Sequence, residues 1–172
     1  QPRIVWMQEY DTVPENTNND EYVNGVRSGQ YEYGSGTTPT ILGEGKYVAI
    51  TDNAGQLKVV VYRTDERLGP DENRIVCQEP VFENDKGALS NSLLGTRLSL
   101  IVTNNYNYYY DWPSGKLIYP SEPGFARIDI DPDGKVIGYG TEIGAFVRLD
   151  DLKPGYAFGQ LDRAIIMNPN QV

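Results

Sequence analysis

The sequence predicts an all-β chain of β-propeller type, and three observations carry that prediction. Apolar residues recur with period two far more often than with period 3.6, and Gly, Pro, Asn and Asp turns separate the alternating runs. In addition, Thr38–Asn53 lies over Ser90–Asn105 without a gap at an offset of 52 residues. Gly43 then falls on Gly95, Thr51 on Thr103 and Asn53 on Asn105, while Ile50/Val102 and Asp52/Asn104 keep their chemical type. A repeat in this size range points to stacked β units.

The elements follow in order. Arg3–Trp6, Tyr47–Thr51, Leu57–Tyr62, Arg74–Cys77, Leu98–Thr103, Ala126–Ile130 and Lys135–Tyr139 are short runs rich in Val, Ile, Tyr and Thr, and each predicts a strand. Gly43-Glu44-Gly45, Asn53-Ala54-Gly55, Gly69-Pro70-Asp71, Pro113-Ser114-Gly115 and Asp131–Gly134 predict the turns. Asn16–Asn24 reads as an exposed polar loop, and Leu161–Met167 is the one place where a helix fits.

Extended beyond its core, the repeat gives four strands per unit. The expected organisation is a single β domain: an outer strand and polar loop at 1–33, one blade-like unit at 34–83, a second at 84–140, and a partial or atypical one at 141–172. Propellers close with typically about four to eight blades, so two units predict completion by another protein chain, by the rest of a cleaved longer protein, or by further copies of this one. A different fold built on a duplicated β unit is the alternative.

Composition excludes several function classes. With 15 basic against 24 acidic residues the net charge is −9 and the cations are scattered, so nucleic acid is not an expected partner. No apolar stretch is long enough to predict a membrane span. The absence of histidine removes Ser-His-Asp triads, Cys-His pairs and His-ligated zinc from this chain. Cys77 sits within a strand-like run and reads as a small core residue. The single cysteine is neutral about compartment; the Asn-, Gly-, Tyr- and Thr-rich composition, and a start at Gln1-Pro2 that fits a removed leader, predict an extracellular or periplasmic setting.

Gly34–Thr40, Tyr47–Asn53, Asn91-Ser92-Leu93 and Thr103–Tyr106 resemble a group of microbial β-propeller proteins, many of them secreted and of poorly defined activity. The resemblance covers about residues 34–133. It implies a propeller and names no substrate.

Candidate binding residues are the polar side chains at the ends of the repeated strands: Thr37, Thr38, Asp52, Asn53, Asn91, Ser92, Asn104, Asn105 and Tyr106. In a propeller such positions gather around one central mouth and present a polar ring to a small molecule, a glycan or a partner. Asp52, Asn53, Asn91 and Asn104 supply the oxygen donors that suit a hard cation such as Ca2+, and a cation there would support metal-assisted hydrolase, lyase or isomerase chemistry. The competing reading is that these residues cap strand ends through Asx turns. A third possibility is a purely structural part of an extracellular assembly.

Two further segments stand out. Asp129–Gly134 matches the start of a D-x-D-x-D-G calcium loop, but the twelfth position is Gly140 where a bidentate Glu is needed, so a hairpin turn is the favoured reading. Asn104–Trp112 is the densest aromatic run of a chain with 13 tyrosines, suited either to stacking on a sugar ring or to covering a sheet edge.

Overall fold

A computed structural model describes residues 2–12, 22–23, 26–27, 29–31, 33–111, 113–119 and 125–142. Its first strands, β1 (Tyr22–Val23) and β2 (Val26–Arg27), pair as a minimal antiparallel hairpin. The next four, β3 (Thr40–Leu42), β4 (Tyr47–Thr51), β5 (Lys58–Arg63) and β6 (Ile75–Pro80), form an antiparallel meander in chain order. A second four-stranded antiparallel sheet runs β7 (Leu94–Thr96), β8 (Ser99–Thr103), then β11 (Phe125–Ile130) and β12 (Val136–Glu142). Between β8 and β11 the chain makes a separate hairpin of β9 (Tyr109–Asp111) and β10 (Lys116–Tyr119). The chain is therefore all-β, with two four-stranded sheets that do not close a ring among the described residues.

Alternation explains the core. Tyr47 and Ala49 on β4 and Val59 and Val61 on β5 turn one face of the first sheet inward, where they share a cluster with Leu100, Val102, Ala126 and Ile128 of the second. The first strands of the two sheets lie side by side. Thr40 Oγ1 donates to the Leu93 carbonyl at 3.1 Å, and the Gly43 N–H donates to the Arg97 carbonyl at 2.8 Å. Gly95 permits this approach, because a β-carbon there would come within 2.5 Å of Thr40 Cγ2.

The 52-residue correspondence does not survive as a structural register. Leu42 faces Tyr47 across the 3₁₀ turn Gly43–Gly45 and Lys46, whereas Thr96 faces Ser99 across Arg97 and Leu98 alone. The inward phase slips with it: Tyr47, Ala49 and Thr51 are buried on β4, but Leu100 and Val102 on β8. A one-residue slip exchanges the two faces of a strand, so aligned residues inside the strands occupy opposite environments.

Arg3–Trp6 is not a strand. It crosses the outer face of the first sheet, where Trp6 stacks on Tyr62 with ring centroids 6.1 Å apart and the Arg74 guanidinium lies 4.6 Å from the Trp6 ring. Side-chain contacts hold the segment, the Trp6 stacking together with an Arg3–Glu66 ion pair at 2.9 Å. Of the expected loop Asn16–Asn24 only Tyr22 and Val23 are described, and they form β1; Leu161–Met167 lies outside the described residues. Asp131–Gly134 is the hairpin turn: Asp131 Oδ1 accepts from the N–H groups of Asp133 and Lys135, each at 2.9 Å, and Gly134 takes φ +92°. Asp129 accepts from Ser99 Oγ at 2.5 Å, a bond that holds its carboxyl below the usual range. Cys77 packs against the core, and burial pushes its thiol up to about 11.

Candidate functional site

Strands β4 and β8 end in similar Asx turns. Asp52 Oδ1 accepts from the N–H groups of Ala54 (3.1 Å) and Lys58 (2.8 Å), and Asn104 Oδ1 accepts from Tyr106 (3.0 Å) and Ala88 (3.2 Å). Here the 52-residue correspondence has physical content. The two ends are knitted together by residues 86–89, a segment without regular secondary structure. Asn53 Nδ2 donates to the Leu89 and Gly34 carbonyls at 2.8 and 3.0 Å while its Oδ1 accepts from the Leu89 N–H at 3.0 Å. Asn104 Nδ2 donates to the Lys86 carbonyl at 2.8 Å, and the Asn105 N–H to the Ala88 carbonyl at 2.8 Å.

The sequence-predicted set therefore divides. Thr37, Asp52, Asn53 and Asn104 are buried, and Thr37 Oγ1 accepts from the Thr51 N–H at 3.1 Å. Thr38, Asn91 and Ser92 are exposed, and Asn105 and Tyr106 are half-buried. Asn91 and Asn105 meet, Nδ2 to Oδ1, at 3.4 Å. Of the four suggested cation ligands, Asp52, Asn53 and Asn104 are buried and Asn91 is exposed. The oxygens of Asn53 and Asn104 already accept from backbone N–H groups, and no cluster of three or more acidic, His or Cys residues suited to a metal occurs among the described residues.

Arg27 was invisible to sequence reasoning. It is 1% exposed, and its guanidinium donates to the main-chain carbonyls of Gly55 (2.7 Å), Asn53 (3.1 Å) and Ala54. The loop after β4 thus offers a cradle of carbonyl oxygens, and a cation from β2 fills it. Two residues further on, Gly29 takes φ +85° and packs so closely that a β-carbon would overlap the Asn105 carbonyl oxygen. No signal in a single sequence separates such an arginine from a solvated one.

On the other side of the same strand end, Asp52 Oδ2 lies 3.9 Å from Lys58 Nζ, which itself bonds Asp11 at 2.8 Å. Burial holds the Asp52 carboxyl above its ordinary range, although its two backbone bonds pull the other way. The folded chain therefore binds this proton more tightly than the unfolded chain. Its contribution to stability is greatest below the unfolded carboxylate pKa, about 3.9, and is lost as pH rises through the folded pKa. Asp52→Asn, which copies the arrangement at Asn104, is expected to gain stability relative to the parent as pH goes from 4 to 7. Urea unfolding of both proteins across that range checks this, and a difference independent of pH would contradict it.

The arrangement holds no nucleophile paired with a base. What it offers is a hydrogen-bonded corner carrying exposed hydroxyl and amide groups at Thr38, Ser92 and Asn91 beside the half-buried Asn105 and Tyr106. No protein-family model, curated protein or solved structure matches the chain.

Proposed function

We propose that the chain is a binding module of β-propeller type that meets its ligand or partner through the outer rim of the strand-end corner: the exposed Thr38, Asn91 and Ser92 and the half-buried Asn105 and Tyr106. The observation that carries this reading is the division within one polar set. Thr37, Asp52, Asn53 and Asn104 spend their side chains on main-chain groups, and that framework holds their neighbours at the surface in a fixed geometry. A site built on so stiff a frame loses little conformational entropy on binding.

Support for propeller blades comes from two four-stranded antiparallel sheets whose first strands lie side by side. Further blades would come from another chain or from further copies, in an extracellular or periplasmic setting that fits the composition. Calcium-assisted catalysis is the weaker reading, because the Asn53 and Asn104 oxygens already accept from backbone N–H groups.

Backbone-amide NMR of the whole chain with a library of small polar fragments tests the rim. Shifts are expected to gather at residues 38, 91–92 and 105–106, and the double variant Asn91→Ala/Asn105→Ala should weaken the best fragment about tenfold while changing stability by less than about 0.5 kcal/mol. Shifts gathered on another surface would sink the reading.

A further inference from the structure

We infer that the ligand of this corner is a neutral carbohydrate, stacked on Tyr31 and Tyr33 and hydrogen-bonded by the Asn91 and Asn105 amides. The inference rests on the rim reading and adds the ligand's chemical class.

Tyr31 is 63% exposed and Tyr33 50%, so both present aromatic surface to solvent. The backbone on either side of them is fastened down. Before Tyr31, Gln30 is 4% exposed, its N–H donates to the Arg27 carbonyl at 2.9 Å, and Gly29 presses on the Asn105 carbonyl. After Tyr33, the Gly34 carbonyl accepts from Asn53, and the Ser35 N–H donates to Tyr10 Oη at 3.1 Å. These fastenings reach the same framework that carries Asn91 and Asn105. Two exposed tyrosines, flanked at Gly29 and Gly34 by segments tied to the framework that carries Asn91 and Asn105, offer apolar ring surface together with donors and acceptors. A pyranose has the matching chemistry, an apolar C–H face ringed by hydroxyls, and tyrosine presents its ring at low entropic cost.

Charge selects neutral sugars over phosphorylated or sulfated ones. The guanidinium of Arg27 is buried on carbonyls, Lys86 Nζ is bonded to Glu83 at 2.7 Å, and the chain carries a net charge of −9. Among the described residues of this corner, the cations Arg27 and Lys86 are already engaged, whereas hydroxyls need only the amides and phenols already present.

The test is calorimetry and saturation-transfer NMR of the full chain with neutral hexasaccharides of β-1,4-glucose, β-1,4-xylose, α-1,4-glucose, β-1,4-N-acetylglucosamine and α-mannose. At least one is expected to bind. Tyr31→Ala/Tyr33→Ala should raise its Kd at least about tenfold, and Tyr31→Phe/Tyr33→Phe should stay within about threefold, since the rings and not the hydroxyls do the stacking. Both pairs are exposed, so an unchanged melting temperature verifies folding. Binding that ignores the tyrosines but is lost in Asn91→Ala/Asn105→Ala overturns the stacking inference and leaves the rim reading intact. Silence from every saccharide, with fragments still gathering at the rim, overturns the carbohydrate class alone. A protein ligand abolished by the tyrosine variants, with no saccharide bound, overturns it too.

Discussion

Arg27→Met is expected to destabilise the chain by about 3 to 5 kcal/mol, the range for removing one side of a buried charged network. Methionine retains most of the side-chain volume, so the loss isolates the guanidinium. Without it, the carbonyls of Asn53, Ala54 and Gly55 lose their common donor inside the protein, and each buried carbonyl left unpaired costs about 1 to 3 kcal/mol. The residue also joins β2 to the loop after β4, so its loss unfastens the segment that leads to Tyr31. Arg27→Lys should recover only part of the stability, because one ammonium does not reproduce a planar fork that reaches three acceptors. Urea unfolding measures both. A methionine variant within 0.5 kcal/mol of the parent would mean that the guanidinium does not occupy the carbonyl cradle.

The same residue shows where sequence reasoning reaches its limit. Period-two alternation and turn chemistry located the long strands of both sheets, since a half-buried strand must alternate and a reversal needs Gly, Pro, Asn or Asp. The three-residue strands β3 and β7 were legible only through the repeat, being too short to show a period. Arg3–Trp6 misled, because Ile, Val and Trp suit the surface of a sheet as well as its ladder, and Trp6 found a partner ring on Tyr62 instead of a neighbouring backbone. At the strand ends, the Asx turns at Asp52 and Asn104 could be read from residue type. Which polar side chains turn inward could not, because that depends on residues 86–89, whose carbonyl and N–H groups consume the Asn53 and Asn104 amides. Tyr31 and Tyr33 escaped notice for a related reason. Their exposure is set by the fastening at Gly29 and Gly34, which lies outside any local pattern.

Asn53→Ala provides the sharpest separation between a framework residue and a binding residue. Asn53 is 0% exposed, holds φ at +53°, and makes three side-chain hydrogen bonds that join Gly34 to Leu89. Alanine removes all three, at about 1 kcal/mol each, and adds about 1 to 2 kcal/mol for a left-handed backbone, for an expected loss of about 4 to 5 kcal/mol. Asn53→Gly should recover the backbone part and none of the hydrogen bonds. Asn53→Asp keeps the acceptor for the Leu89 N–H but sets a carboxylate against the Gly34 and Leu89 carbonyls, so it should be no better than alanine. The companion measurement is ligand affinity of the folded fraction. If Asn53 serves as framework, the alanine variant that still folds binds rim fragments with nearly the parent's Kd, whereas Asn105→Ala keeps its stability and loses affinity. A stable Asn53→Ala protein with abolished binding would reverse the assignment: the inward amide would then be the ligand contact, and the polar residues closing β4 would form the open ring that their spacing first predicts.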